Sequence, residues 1–428
     1  MKLYPHQLRG IEFLLHHPRC GLFDDQGLGK TAQACVAAGR IGGPILVLCP
    51  SSVLHNWARE FDRWAGISGA QLITKGSQRV DVAADAVLVT HDLPARSSPL
   101  RAELCSRRWA VGIVDEAHKF KNSRAARTRA LYGLPGQQNG ITAACGRVWL
   151  LTATPTPNDP TELWVHLRHL APDRLELNGK PMNLHAYKHR FCVVRQTHYG
   201  ERIEGARNTA DLRARLEGFY LRRLKSQELD LPPVSWGTTA VGASLPPDYV
   251  EAIYDDKGEL DLMAMQQQEE FASWRRLCGI AKAGPAAELI AEELDGTSGK
   301  AVVFFHHREV HELLRERLDK YQPVSITGTT SAAARQQAVD AFQSDKARRV
   351  ALCNIVAGGT GTTLTASQNV TFVEQSWVPG DNAQAADRIY RIGQCKPCTV
   401  RVLVAPGVDE LVNEALLRKS RMIQEVLS

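Results

Sequence analysis

The chain has 428 residues, 44% hydrophobic and 23% charged, which is the composition of a globular protein of two or three domains and excludes a disordered or fibrous one. Its formal charge of +6 is a mild basic excess that permits a nucleic-acid partner without requiring one. No apolar run reaches the ~18 residues of a membrane-spanning helix, and the opening MKLYPHQLRG lacks an apolar signal core, so a chain that is neither membrane-bound nor exported is expected.

Near the start, Tyr4, Pro5, His6 and Gln7 precede an amphipathic helix, and the Gln7 amide has the groups needed to read an adenine edge. The next stretch, CGLFDDQGLGKTAQA (20–34), ends in GLGKT. GLFDD reads as a short buried strand, and TAQACVAA as a helix that Gly39 stops. A phosphate-binding loop needs such a strand, a tight turn, and a helix whose first N–H groups meet the anion. Gly27 and Gly29 let the backbone wrap close, Lys30 would reach the β- and γ-phosphates, and Thr31 would hold Mg²⁺. Asp24 stands where the usual pattern has its first Gly, and the stretch alone also fits a glycine-rich turn with a solvated lysine.

Apolar β-type runs follow at PILVLCP (44–50), AVLVTH (86–91), VGIVDE (111–116) and RVWLLTAT (147–154). The helix-like stretches SVLHNWAREFDRW and SRAARTRALYGL separate them, and this alternation predicts a parallel sheet with helices on both faces. Asp115 and Glu116 follow one of these strands. Adjacent carboxylates repel unless a cation or a base role justifies them. Asp115 would hold Mg²⁺, and Glu116 would polarise an attacking water. DEAHKF also fits an acidic helix start, but together with GLGKT the nucleotide reading prevails, because the phosphate-facing residues survive the change at Asp24. In LLTATPTPN (150–158), Thr152 and Thr154 either couple the nucleotide site to something beyond it or form an ordinary strand-end turn.

The alternation fades from about 175 to 290, where DLRARLEGFYLRRLK and LDLMAMQQQEEFASWRRL predict mostly helix. Arg202, Arg207, Arg213, Arg215, Arg222, Arg223 and Lys225 there either touch DNA phosphates or form a solvated helix with Arg222 and Arg223 pinned at an interface. The alternation returns with AVVFFHH (301–307), PVSITG (323–328), RVALCN (349–354), VTFVEQ (370–375) and TVRVLV (399–404). AGGTGTTLTAS (357–367) is a glycine- and threonine-rich loop suited to a phosphate backbone. In DNAQAADRIYRIGQ (381–394), helical spacing puts Gln384, Asp387, Arg388 and Arg391 on one face, with both arginines suited to a γ-phosphate, or as a plain polar stripe. Trp57 and Trp377 fit core packing or base stacking. The ten cysteines read mostly as core thiols of a reducing compartment, and Cys395 with Cys398 is a lone CxxC.

Taken in order, these motifs resemble the Swi/Snf family of helicase-like ATPases in superfamily II, over most of the chain. LYPHQLRG resembles its adenine motif and DDQGLGKT its phosphate loop, in which the first Gly is also absent. LVLCPSSVLHNW and VLVTHDL resemble motifs that track a DNA strand. DEAHKFKN (a DEAH-box variant), LTATPTPN, FYLRRLKSQELDLPP, AGGTGTTLTAS and DRIYRIGQ follow in family order, and LCGIAKAGPAAELI is similar to the annealing-helicase branch, which remodels stalled forks. Gln26, the Ala of DEAH and GGTGTTLT are mild departures.

The resemblance implies an α/β fold of two RecA-like parallel-sheet lobes with a mostly helical insertion: residues 1–175, an insertion over 176–290, and 291–428. It implies an ATP- and Mg²⁺-dependent translocase on double-stranded or forked DNA, with a strand-separating helicase or an ATP-gated clamp as alternatives. ATP would meet Gln7, Asp25, Gln26, Gly27, Leu28, Gly29, Lys30, Thr31 and Gln384. Lys30, Asp115, Glu116, Arg388 and Arg391 would carry catalysis as the lobes close. DNA would meet Ser51, Ser52, His91, Lys121, Asn122, Gly359, Thr360 and Thr363. A monomer is expected, with a possible recruiting protein in trans, in the cytoplasm and at the nucleoid of a bacterial or phage-infected cell.

Overall fold

The computed structural model describes residues 3–134, 139–197, 200–243, 270–358 and 362–427. The chain folds as two compact units, residues 1–229 with 419–428, and residues 230–418.

The strands of the first unit are β1 (Arg19–Leu22), β2 (Ile45–Cys49), β3 (Gln71–Ile73), β4 (Ala86–Thr90), β5 (Trp109–Asp115), β6 (Cys145–Leu151), the short pair β7 (Glu176–Leu177) and β8 (Lys180–Pro181), the hairpin β9 (Cys192–Thr197) and β10 (Gly200–Ala206), and β11 (Tyr220–Leu221). Seven of them form one sheet in the order β11-β1-β6-β5-β2-β4-β3, with every pairing parallel. Burial on both faces explains the unbroken apolar runs. Side chains alternate between the faces. Ile45, Val47 and Cys49 pack into one core with α1 (Pro5–His16), α2 (Lys30–Ile41) and α3 (Leu54–Ala65), whereas Leu46 and Leu48 pack into the other, with Trp164 and Leu167 of α4 (Glu162–Leu170).

In the second unit β12 (Val234–Ala240), β13 (Ala301–Phe305), β14 (Val324–Ile326), β15 (Val350–Asn354), β16 (Asn369–Phe372) and β17 (Cys398–Val404) form a parallel sheet in the order β12-β17-β16-β13-β15-β14. Val302 and Phe304 fill one core, and Ala301, Val303 and Phe305 the other. The two RecA-like lobes of an α/β chain are therefore present.

Three expectations change. Among its described residues the middle segment mixes helix with strand: it holds α5 (Leu184–Phe191) and the helix Thr209–Leu216, but also the β9–β10 hairpin, and it joins the sheets through β11 on β1 and β12 on β17. The predicted helix DLRARLEGFYLRRLK stops at Leu216, and Gly218, at φ +72, turns the chain into β11. LDLMAMQQQE (260–269) lies outside the described residues, and the helix α6 runs over Glu270–Asp295. Gly39 does not stop α2. The helix continues to Ile41 and ends at Gly42, at φ +71, while a Cβ on Gly39 would sit 2.9 Å from that of Ala65, so Gly39 lets α2 and α3 approach. No helix among the described residues is long and apolar enough to cross a membrane.

Candidate functional site

β1 ends at Leu22, and the loop Phe23–Gly29 carries the chain to α2. Gly27 and Gly29 adopt φ +83 and +76, which a β-carbon disfavours. At Gly29 a Cβ would also meet Gln7 Nε2 at 2.3 Å. No side chain caps α2, so its first N–H groups and positive dipole end remain for an anion. Lys30 Nζ donates to the carbonyls of Asp24 (2.7 Å) and Asp25 (3.1 Å), holding it at the loop. Gln7 receives the Tyr4 N–H at 3.0 Å and donates to Leu28 O at 3.4 Å, and His6 Nε2 reaches the same carbonyl at 3.1 Å. The structure thus gives the Gln7 amide to the phosphate loop itself.

Asp24 has a role of its own. It is fully buried and forms a paired-donor ion pair with Arg223, Nε to Oδ1 at 2.9 Å and Nη2 to Oδ2. Arg223 also donates to Gln33 Oε1 (2.8 Å) and to His6 O, and Gln33 Nε2 donates to Asp24 Oδ2 (3.3 Å). Lys225 N donates to Asp25 Oδ2 at 2.9 Å. The LRRLK segment therefore clamps the phosphate loop from behind. Arg223 and Lys225 are buried, 6% and 4% exposed, which removes both from the set expected at DNA.

At the end of β5, Asp115 Oδ2 accepts from Trp57 Nε1 (2.8 Å) and Oδ1 from the Glu116 N–H (2.9 Å). Glu116 sits in the left-handed region, φ 47 and ψ 50. That is strained backbone for a side-chain-bearing residue, of the kind retained where a site needs it. His118 Nδ1 lies 3.3 Å from Glu116 Oε2 and 3.0 Å from Thr152 Oγ1, and Thr152 Oγ1 accepts from Thr154 N at 3.1 Å. The DEAH and TATP stretches are joined through His118. Burial, with the Glu116 charge beside it, pushes the Asp115 carboxyl up. Burial acts the same way on Glu116, but His118, through its hydrogen bond and charge, with Lys30 and Lys119, outweighs it and holds that carboxyl low, so Glu116 loses its proton before Asp115 does. The hydroxyl of Thr31 and the carboxylate of Asp115 are hard oxygen donors that fit Mg²⁺, and two hydrogen bonds leave Asp115 with free lone pairs.

In the second unit, α7 (Pro379–Ala386) ends before the arginines. Three-residue turns follow, Arg388 N to Ala385 O (3.1 Å) and Ile389 N to Ala386 O (3.2 Å), so the expected helical face does not form. Arg388 is 4% exposed and donates to Gln384 O (3.1 Å) and Thr362 O (3.4 Å). It braces the loop, which corrects its reading as a free finger. Arg391 donates to Thr362 O (2.9 Å) and Thr363 Oγ1 (2.8 Å). Gln394, singled out by no sequence argument, donates to the carbonyls of Ile389, Thr365 and Ser367 at 3.1, 3.3 and 2.9 Å. Gln384 is half-buried.

Residues 6–245 match the SNF2-related domain, and residues 285–393 the Helicase conserved C-terminal domain. The chain belongs to the SNF2-related family. It is 32% identical, over 100% of its length, to the DNA annealing helicase and endonuclease ZRANB3 of Mus musculus, and covers 41% of that protein. It is 32% identical, over 95% of its length, to the SWI/SNF-related matrix-associated actin-dependent regulator of chromatin subfamily A-like protein 1 of Xenopus tropicalis, and covers 43% of it. The chain thus spans about two fifths of the length of these relatives. Among solved structures it is similar to the Sulfolobus solfataricus SWI2/SNF2 ATPase core in complex with dsDNA, at TM-score 0.46 and 22% identity over 100% of this chain and 93% of that one.

The residues expected at DNA divide within this SNF2-family chain. Ser51 and Ser52 form an exposed turn before α3. His91 is 4% exposed, stacks edge-on against Phe120 and donates from Nε2 to Asp115 O at 2.8 Å. Burial holds its pKa down to about 4. It supports the end of β5 and does not face solvent, a correction. Lys121 pairs with Glu162 at 2.5 Å, and Glu162 in turn holds Asn158 (2.7 Å). Asn122 is exposed, and its Oδ1 accepts from Arg124 N at 2.9 Å. Thr363 is bonded to Arg391, while Gly359 and Thr360 lie outside the described residues. Trp57 is 1% exposed, which settles it as a core residue.

Proposed function

We propose that this SNF2-family chain hydrolyses ATP and uses the energy to translocate along double-stranded DNA. The observation that carries the reading is Glu116, held ionised and in strained backbone beside Asp115, with Lys30 and an uncapped helix start supplying positive potential. Lys30 and the N–H groups of α2 bind the β- and γ-phosphates. Glu116 polarises the attacking water and accepts its proton as the new O–Pγ bond forms and the bond to the β-phosphate oxygen breaks. Thr31 and Asp115 would hold Mg²⁺, which would supply charge neutralisation at the phosphates. Arg391 stabilises the transferring phosphate, and Arg388 sets the loop that carries it. The Glu116–His118–Thr152–Thr154 chain communicates the state of the nucleotide to the DNA-facing surface.

The relatives' names describe an annealing helicase and a chromatin regulator, which supports DNA as the substrate. Steady-state ATP hydrolysis without DNA, with linear duplex, with single strands and with forked DNA tests the reading. Strong stimulation by plain duplex is expected, with a further rise on forks for the annealing branch. Stimulation by single strands alone would replace translocation on duplex with strand separation, and hydrolysis indifferent to every DNA would remove DNA as the substrate.

A further inference from the structure

The segment 183–206 carries chemistry that ATP hydrolysis leaves unused. Asn183 caps α5 through Ala186 N (2.8 Å), so the helix starts at Leu184 and places His185 and His189 one turn apart on one face. Their rings lie 4.3 Å apart, centroid to centroid. The chain then runs into the β9–β10 hairpin, whose second strand returns beside the helix and delivers Glu201. Glu201 Oε1 is 3.0 Å from His189 Nε2, and one ligand atom from each of the three residues lies within 4.8 Å of the other two.

We propose that His185, His189 and Glu201 form a binding site for a divalent transition metal, Zn²⁺ before others, that fastens α5 to β10. Two imidazole nitrogens and a carboxylate oxygen make the donor set that zinc takes in three-ligand sites, with water in the fourth position. Imidazole disfavours Mg²⁺ and Ca²⁺, which take oxygen, so this site is chemically separate from the nucleotide's metal. A supporting residue is already in place, because Gln196 Nε2 donates to Glu201 Oε1 at 3.2 Å and orients the carboxylate. The competitor is also visible: Lys188 pairs with Glu201 Oε2. Its ammonium beside the carboxylate repels an incoming cation and competes for the carboxylate charge. Lys188 is thus a built-in antagonist of the site.

The test is calorimetric titration of the full chain with Zn²⁺, then with Co²⁺ followed by absorption. One site is expected, with cobalt d–d bands and no thiolate charge-transfer band. His185→Ala and His189→Ala each abolish it, and Glu201→Gln weakens it. Gln196→Ala weakens it roughly tenfold. Lys188→Met tightens it, the reverse of what loss of a structural ion pair would do. These side chains are exposed or half-buried, so the variants fold. Absence of binding, binding unchanged by His189→Ala, or weaker binding in Lys188→Met would each overturn the proposal. A thiolate band would do the same, by placing the metal on cysteine, with the exposed Cys395 the first candidate. None of these readings depends on ATP hydrolysis.

Discussion

The indole N–H of Trp57 donates to Asp115 Oδ2 across 2.8 Å. Trp57 lies in α3, which follows the turn that Ser51 and Ser52 expose, so this bond ties the helix behind that turn to the carboxylate proposed for Mg²⁺. Phenylalanine at this position keeps an aromatic ring beside Phe61 but removes the donor. A hydrogen bond to a charged group contributes about 1.5–3 kcal/mol. Trp57→Phe is expected to lower kcat roughly 10- to 100-fold and to raise the Mg²⁺ concentration needed for half-maximal turnover, with a lower thermal midpoint from the lost bond and the space left in the core. Wild-type turnover and Mg²⁺ dependence would reduce Trp57 to packing.

Asp24 and Arg223 are 199 residues apart in sequence and buried against each other. Removing one partner leaves the other charge buried and alone, which costs about 3–5 kcal/mol. Arg223→Ala and Asp24→Ala should each lower the urea midpoint accordingly. An apolar replacement of both, Asp24→Leu with Arg223→Met, should recover part of the loss. Stability unchanged in either single variant would mean that water reaches the pair.

These long separations mark the limit of what the sequence discloses. The strands of both sheets' centres were legible because each is a buried run of Val, Ile, Leu and Phe. β3, β11 and β12 were not, because they are sheet-edge strands, two or three residues long or largely polar, and pairing with a distant neighbour defines them. GLGKT and DEAH announced the nucleotide site through residue type and spacing. Trp57 as donor and Arg223 as clamp stayed hidden, since a buried partner 58 or 199 residues away leaves no local pattern. Gln394 as hub stayed hidden because its partners are main-chain carbonyls, which no residue type announces. The spacing of the arginines in RIYRIGQ predicts a helix; tight turns after Ala386 and the Gln394 bonds override it.

His166, on α4, is 1% exposed, with Nδ1 2.8 Å from the Tyr132 hydroxyl. Burial, then the neighbouring His118 and His169, lowers its pKa to about 3. The folded state therefore holds it neutral while the unfolded chain protonates it. Its contribution to stability is complete above the ordinary value of about 6.5 and is lost as pH falls toward about 3. His169, stacked on Tyr132, is lowered to about 4 and acts in the same direction. Between pH 6 and 4 the wild type should lose up to about 1.4 kcal/mol per pH unit more than His166→Gln. Urea unfolding at stepped pH measures this, and parallel curves would remove His166 as a source of acid sensitivity.

Glu116→Gln keeps the size of the side chain but removes the charge that accepts a proton. ATP binding should persist, because Lys30 and the start of α2 are untouched. Turnover should fall about 10²- to 10⁴-fold. Fluorescent-nucleotide titration beside steady-state hydrolysis separates the two. A variant that turns over normally would move the base role elsewhere.

Arg391 holds Thr362 and Thr363 and is the more exposed of the two arginines in its turn. If it stabilises the transferring phosphate, Arg391→Ala should lower kcat by about 10³-fold or more with nucleotide affinity nearly unchanged. If it only fixes the loop, Arg391→Gln, which can still donate to Thr363 Oγ1, should restore most of the rate. Charge is what a phosphate in transfer requires, so Gln is expected to fail as Ala does. Rescue by Gln would instead make Arg391 a brace like Arg388, and would leave the positive charge at the γ-phosphate to Lys30.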